Sequence, residues 1–422
     1  MIKATCVFTV ALFIFSGCGG SEGGGNATES ASDNRVVQSK SNGTKVITGL
    51  KTGTTLTAAK NNSNVLNDAL AGGSKNLVIP SGTWYTYNTI TVNNNTTLSF
   101  KGKLQQLKHY TNYNYGHRHL MLVQGGNVIL NDPHLSQKGI NHPHGTNACL
   151  AIYGKNNTGN ITINGGILEH GASNCFQGGR DNTVFNGTIF RDSVEHLVYA
   201  SGARRDVGDP DTRPDGLIFN NCIMERPGNG LTKDLEANHV QLRSYKNIEI
   251  NNCIIQGKKK TSKNQFGILA TGIEGLTVND TTISDYSAGL LYVGTAYGYS
   301  SSDVTINNVT ATPASGTKDI VKGNYGVDIT FNNLDITSPL SINGRMDVIF
   351  NDSTFRFKNY FMRTRNRANV RFNNQVWNAN DSTYNKAFVK DAGTSVTFTG
   401  TQTKIAPEDG RSFRWGILEN EG

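Results

Sequence analysis

The chain has 422 residues, with 40 Lys+Arg against 32 Asp+Glu and a formal net charge of +8. Only 17 % of its residues are charged, whereas 47 are Gly and 50 are Asn; ordinary domains carry roughly a quarter charged residues. Coiled coils and helical arrays are thereby excluded, as is a disordered chain, because Val, Ile, Leu and Phe recur throughout; the diffuse positive excess does not indicate nucleic acid, but it favours an acidic partner over a basic one.

Residues 1–17 read as a signal peptide: Lys3 is the positive end, and residues 7–15 are an apolar run too short to span a bilayer. The run ends Phe15-Ser16-Gly17-Cys18, which resembles the lipobox of bacterial lipoproteins. That resemblance implies cleavage before Cys18 and its lipidation; a secreted chain cut elsewhere is the other reading. The expected location is the bacterial cell envelope (outer membrane or cell surface) or the exterior, with the membrane met only through the lipid. Gly- and Ser-rich residues 18–45 form a flexible linker, and residues 46–422 form one domain. Cys6 leaves with the signal. Cys149, Cys175, Cys222 and Cys253 show no CxxC spacing, so zinc is not expected and buried thiols are.

Residues 65–70 (Val-Leu-Asn-Asp-Ala-Leu) form a short amphipathic stretch, followed by Leu77-Val-Ile-Pro-Ser-Gly82. From there a phrase of two or three β-formers closed by Asn repeats. It runs Asn127-Val-Ile-Leu-Asn131, Asn160-Ile-Thr-Ile-Asn164, Asn182-Thr-Val-Phe-Asn186, Gly216-Leu-Ile-Phe-Asn220, Asn247-Ile-Glu-Ile-Asn251 and Gly275-Leu-Thr-Val-Asn279. It continues as Asp303-Val-Thr-Ile-Asn307, Asp328-Ile-Thr-Phe-Asn332, Asp347-Val-Ile-Phe-Asn351, Asn369-Val-Arg-Phe-Asn373 and a worn Ser395-Val-Thr-Phe-Thr399. A second apolar position follows at Ile167, Ile189, Ile223, Ile254 and Ile283. Spacings of 19 to 34 residues with short strands and no helical period predict a β-solenoid whose neighbouring coils lie about 4.8 Å apart. The Asn column then stacks its amides at a turn, and Cys222 and Cys253 share one inward column. An open coil end is a bare sheet edge and needs a cap.

On these residues the chain resembles the right-handed parallel β-helix, or pectate-lyase-like, superfamily across residues 75–400. The expected fold is all-β: a single right-handed parallel β-helix of 11–13 coils with an N-terminal helical cap, monomeric. The resemblance implies a ligand groove along the first strand of each coil.

Counting back from the repeat phrase places that strand at His239-Val240-Gln241-Leu242-Arg243. With Val240 and Leu242 inward, alternation turns His239, Gln241 and Arg243 outward together. The preceding coil reads His196-Leu-Val-Tyr199; if His196 aligns with His239, two imidazoles stack. Two long insertions, residues 203–215 and 225–238, flank these strands and mark the binding face. The first carries Arg204, Arg205, Asp206, Asp209, Asp211, Arg213 and Asp215; the second carries Lys233, Asp234 and Glu236. The four Asp could hold Ca²⁺ or simply pair with the arginines. Tyr113, Tyr115 and His117 offer stacking surfaces for sugar rings. His117 and His119 with His142 and His144 lack a known metal-ligand spacing, so no metal site is assigned. A late basic block (Arg356, Lys358, Arg363, Arg365, Arg367, Arg371) reads as surface charge or a polyanion contact.

The residues suit elimination at a uronate. A carboxylate must be neutralised, the adjacent C–H deprotonated and the leaving oxygen protonated. Arg243 is the neutraliser, His239 or Lys233 the base, and His196 or Tyr199 the acid, with Gln241, Arg204, Arg205, Tyr113, Tyr115 and His117 binding substrate. A hydrolase would need two facing carboxylates, which these strands do not supply. The Asn-Thr-Asp, Asp-Asp, Gly-His-Gly and Arg-Ile-Lys signatures of polygalacturonase-like hydrolases are absent. Chondroitinase B-like alginate lyases use Lys and Arg on successive coils, whereas Lys233 and Arg243 share one. Asp132-Pro133-His134 only partly matches the Asp-Pro-His-Asp of mannuronan epimerases and lies on the wrong strand. The expected function is a lyase on an acidic polysaccharide, alginate before pectate. A hydrolase of a galactan- or carrageenan-type glycan and a non-catalytic glycan-binding surface protein are the alternatives.

Overall fold

The computed structural model describes residues 43–406 apart from 73, 108–118, 139–146, 154–158, 203–210, 229–237, 259–264, 317, 324–325, 340, 358–361, 380–385 and 392, together with strands Gln38–Ser39 and Arg414–Glu419. The signal peptide, Cys18 and most of the linker lie outside these residues. Among the described residues no helix is long and apolar enough to cross a membrane.

Two short strands, Gln38–Ser39 and Lys45–Val46, pair antiparallel at the start, and helix α1, Leu56–Leu70, follows. Thr55 caps it, its hydroxyl accepting from Ala58 N–H at 3.2 Å. The helix begins well before the amphipathic stretch read from sequence. Asn62 hides the period: it is fully buried, donating to Lys51 O and Tyr85 O at 2.9 Å and accepting from Lys51 N–H at 2.7 Å. Val65, Leu66 and Leu70 join the core of the first coils, so α1 covers the end that would otherwise expose apolar side chains.

The rest is a parallel solenoid. Each coil contributes one strand to a 13-stranded sheet, paired in simple chain order, and up to two to a 26-stranded sheet that wraps the other sides. Among the described residues these thirteen strands make 13 coils, at the top of the expected range. The pairing is parallel throughout both sheets from Lys45–Val46 onward, so each strand lies against its counterpart one coil away.

The repeat Asn residues are in register. Asn131, Asn164, Asn186, Asn220, Asn251 and Asn279 stand in one column that continues through Asn307, Asn332, Asn351 and Asn373. Each Nδ2 donates to the Oδ1 one coil earlier, at 2.7–3.0 Å without a gap. The column starts on Ser99 Oγ and ends on the Thr399 hydroxyl. The following position is a second column. Asn221, Asn252, Asp280, Asn308, Asn333, Asp352 and Asn374 all hold φ between 50° and 56°, the left-handed region that Asn and Asp tolerate best. The turn requires that conformation, and this accounts for the Asn, Asp or Gly after each repeat Asn.

The same turn decides which way the next apolar residue faces. Ile167, Ile189 and Ile223 are half-buried and Ile254 is 48 % exposed, all on the outer surface, while Leu168, Phe190, Met224 and Ile255 fill the core. The turn resets the alternation, so the first apolar residue after it points out. Ile283 is inside because Thr282 takes the outer slot opposite Ile254. Inside, aromatic rings stack from coil to coil. Phe185 and Phe219 lie 5.2 Å apart at 8°, and Phe331, Phe350, Phe372 and Phe398 form a longer pile. Cys222 and Cys253 share an inner column, Cys222 N–H donating to Cys253 Sγ at 3.3 Å, and all four described thiols are free and buried.

Five strands of the 13-stranded sheet matter below: β1 (Asn174–Gly178), β2 (Val198–Ser201), β3 (Val240–Arg243), β4 (Phe266–Thr271) and β5 (Gly289–Gly294).

Candidate active site

The register of the five strands decides what faces outward. Val198 lies opposite Val240, Tyr199 opposite Gln241 and Ser201 opposite Arg243. Two residues upstream, therefore, His196 faces Asn238, one position before His239. The expected stack of His196 on His239 does not form.

His239 is the main correction. It was expected on the groove face as a candidate base, yet it is fully buried. The chain turns a corner on its way into β3, and alternation fails there: the residue before the first inward Val also points in. The equivalent position in the previous coil is Leu197, a core residue. Among the described residues neither ring nitrogen of His239 has a hydrogen-bond partner. Burial alone pulls its pKa down to about 3, so the ring is neutral. Gly257 is required beside it, because a Cβ there would come 2.4 Å from His239 Nε2. His239 has no route to a substrate on the outer face.

His196 is 7 % exposed and serves the backbone. Where the chain enters this sheet, successive coils present N–H groups that need acceptors. His119 Nδ1 accepts from Ala148 N–H at 3.3 Å, Asn174 Oδ1 from His196 N–H at 3.3 Å, His196 Nδ1 from Asn238 N–H at 3.0 Å, and Asn238 Oδ1 from Phe266 N–H at 3.1 Å. Burial first, and then the Arg243 charge, lower the His196 pKa to about 4. At neutral pH the ring is uncharged with its proton on Nε2. It is a hydrogen-bond donor, not the imidazolium acid expected from sequence.

Three outward groups do meet. Arg243 Nη1 donates to the Tyr199 hydroxyl at 3.3 Å, and the guanidinium lies 5.7 Å from the Tyr199 ring centre. The Tyr297 hydroxyl completes the set, close enough to Ser201, Arg243 and Tyr199 for each to shift its titration. The two phenols are driven apart. For Tyr199 burial dominates and raises the pKa. For Tyr297 burial also raises it, but hydrogen bonds from Ser201 and Arg243 and the guanidinium charge outweigh that, and the net shift is downward. Two titrating groups pushed in opposite directions at one spot is the arrangement of an acid–base pair.

Tyr297 was missed by sequence reasoning. It lies after β5 in a two-residue hairpin closed by Ala296 and Tyr299, which exchange N–H···O=C bonds of 3.0 and 2.9 Å. Tyr297 and Gly298 both have positive φ, 51° and 82°, the mirror-image turn that matches strand twist. A bulky residue there is strained by about 1–2 kcal/mol, and such strain collects at functional sites. The hairpin is pinned from behind. Arg213 lies 4.5 Å from the Tyr299 ring centre, bonds Asp211 at 2.7 Å, and pairs with Glu274. Thr212 N–H donates to the Tyr299 hydroxyl at 3.3 Å, and Ser244 Oγ to Ala296 O at 3.3 Å. The signal in the sequence was Tyr297-Gly298 between two short polar stretches, a hairpin dipeptide inside a long coil.

Of the other candidates, Gln241 is 3 % exposed beneath Arg243 and does not face solvent. Lys233, Arg204, Arg205, Tyr113, Tyr115 and His117 lie outside the described residues, as do Asp206 and Asp209. Asp211 serves Arg213, the ion-pair reading of that segment. Among the described residues no group of three His, Cys, Asp or Glu could hold a metal ion. Strands β1–β5 carry no carboxylate.

No known family profile matches the chain, and no curated protein does. Solved structures to which it is similar include the A-module of the mannuronan C-5 epimerase AlgE6 of Azotobacter vinelandii, at 11 % identity and TM-score 0.46, covering 86 % of this chain and 96 % of that one. Another is PfbA, a surface adhesin of Streptococcus pneumoniae, at 10 % identity, TM-score 0.43 and coverage of 85 % and 89 %. A third is the catalytic unit of the GH87 alpha-1,3-glucanase of Streptomyces thermodiastaticus, at 12 % identity, TM-score 0.46 and coverage of 82 % and 66 %. On the strength of its own strand register, the chain folds as a parallel β-helix.

Proposed function

We propose that the chain is a carbohydrate-active enzyme that cleaves a uronate-containing polysaccharide by β-elimination. The observation that carries this reading is the Tyr199–Arg243–Tyr297 cluster, one guanidinium between two phenols of opposite shift. Arg243 binds the uronate carboxylate and stabilises the negative charge that develops when the adjacent C–H is broken. Tyr297, whose pKa is lowered, takes that proton as phenolate. Tyr199, which keeps its proton, gives it to the departing glycosidic oxygen. One C–H and one C–O bond break, one C=C bond forms, and no water is consumed. The missing carboxylates on β1–β5 favour this over a hydrolase, which needs two of them across the bond.

Alginate is the first substrate to test and pectate the second. The assay follows the ultraviolet absorbance of a new unsaturated uronate. New reducing ends without that absorbance would establish a hydrolase, and binding without new ends a lectin-like surface protein. A chelator tests a Ca²⁺ requirement. In this reading the enzyme works at the cell envelope, held by a lipid on Cys18, or outside the cell.

A further inference from the structure

The Gln241 amide lies in a place built for two acceptors. One end faces Arg243: turned with its oxygen that way, it accepts from Nε at 2.8 Å and Nη2 at 2.9 Å. The other end then sets its NH2 at 2.9 Å from His196 Nε2 and 3.2 Å from Asn238 Nδ2. Turned over, the oxygen accepts from Asn238 Nδ2, and the NH2 faces the guanidinium.

All of these neighbours are donors. The guanidinium has no acceptor. The Asn238 amide is fixed with its oxygen on Phe266 N–H, so its NH2 points at Gln241. His196 Nδ1 already accepts from Asn238 N–H, so the neutral ring carries its proton on Nε2. An amide has one oxygen and therefore leaves donors facing donors at one end in either orientation. Asn238, His196 and Gln241 are all at least nine-tenths buried, so water does not relieve the mismatch. A glutamate would satisfy both ends at once, one oxygen forked by Arg243 and one receiving His196 and Asn238.

We propose that Gln241 is a specificity-determining residue that keeps Arg243 uncompensated: the chain carries an amide where an acid fits better, so that the guanidinium charge is left for an anionic ligand. Gln241 is a positioning residue, acting through Arg243 and touching no substrate itself. This rests on the reading of Arg243 as the carboxylate binder. It also explains the burial of a residue expected to face the substrate, and it names the recognised group as an anion on the sugar, not a neutral glycan.

The test compares the full chain with Gln241→Glu and Gln241→Met in thermal unfolding and in binding of polygalacturonate and alginate at fixed ionic strength. Gln241→Glu should unfold roughly 3 °C or more above the native chain and bind the polyuronates at least ~10-fold more weakly. Gln241→Met, which keeps Arg243 charged but unbraced, should be less stable yet lose less affinity than Gln241→Glu. A Gln241→Glu chain no more stable than native overturns the donor excess. A stabilised Gln241→Glu chain that binds polyuronate as well as native overturns the reserved charge, and so does a native chain that binds neither polymer. Native binding without an unsaturated product would sink the elimination reading alone and leave this inference standing.

Discussion

Two amide systems in this molecule obey opposite rules. The Asn ladder on the wrapped sheet is saturated: ten amides from Asn131 to Asn373 each donate to the one before, and the chain of bonds is capped at both ends. On the flat 13-stranded sheet, Gln241 sits among donors it cannot all serve. The ladder repeats one solution along the solenoid; the second arrangement occurs beside one guanidinium. In the ladder the amides are matched from coil to coil, whereas at Gln241 they are mismatched beside Arg243. Local inconsistency of this kind is expected at working sites and is costly elsewhere.

The contrast can be broken first at Arg243. Arg243→Ala should lower kcat/KM on a polyuronate by about 10³-fold or more, with the melting curve little changed. Arg243→Lys should recover only part of it, because the fork geometry is lost. Full activity in Arg243→Ala moves the site off these strands.

Next is Tyr297. Tyr297→Phe should cost about 10²-fold or more in kcat. In the native chain, kcat/KM should climb with pH as the phenol ionises, and level off below the ordinary phenol range near 10, because hydrogen bonds and the Arg243 charge depress this pKa. The climbing limb should vanish in Tyr297→Phe; a limb that persists assigns the base elsewhere.

On the ladder the effect should be structural. Asn279→Leu leaves Asn251 Oδ1 without its donor and the Asn307 amide without its acceptor. A loss of about 2–3 kcal/mol in denaturant unfolding follows, with turnover at saturating substrate unchanged. An equal loss of turnover would mean that ladder and site are coupled.

The smallest effect tests His239. Its pKa is about 3 folded against an ordinary value near 6.5 unfolded. Between those values the unfolded chain binds the proton and the folded chain does not, so His239 costs stability as pH falls below about 6.5, by about 2 kcal/mol at pH 5. His239→Leu, matching Leu197 one coil away, should remove that acid sensitivity while activity persists. A dead His239→Leu enzyme of native stability would restore the role first expected of this residue.

Much of the fold was legible because the solenoid repeats its reasons. Each Asn closing a strand serves the same turn, so the column could be read down the chain before any coil was seen. The coil count and the inward pairing of Cys222 with Cys253 followed from the same period. Legibility ended at corners. Strict alternation placed His239 outside, and a corner that spends one residue out of phase buries it. Arg243 and Tyr199 were found because they lie within strands, where alternation holds. Tyr297 was not, because its place depends on a hairpin whose Tyr299 is pinned by Arg213 and Thr212 from a distant part of the chain.

The in-register stacking of equivalent turns carries one more consequence, for length. Asn307 pairs with Asn332 and Asn332 with Asn351 through the same contacts, so excising residues 308–332 would set Asn351 directly on Asn307. The protein would lose one coil, about 4.8 Å, with no broken rung. Its outer face is therefore adjustable in whole steps: duplication or loss of a coil downstream of β5 would lengthen or shorten the track beyond Arg243 and Tyr297 without disturbing them.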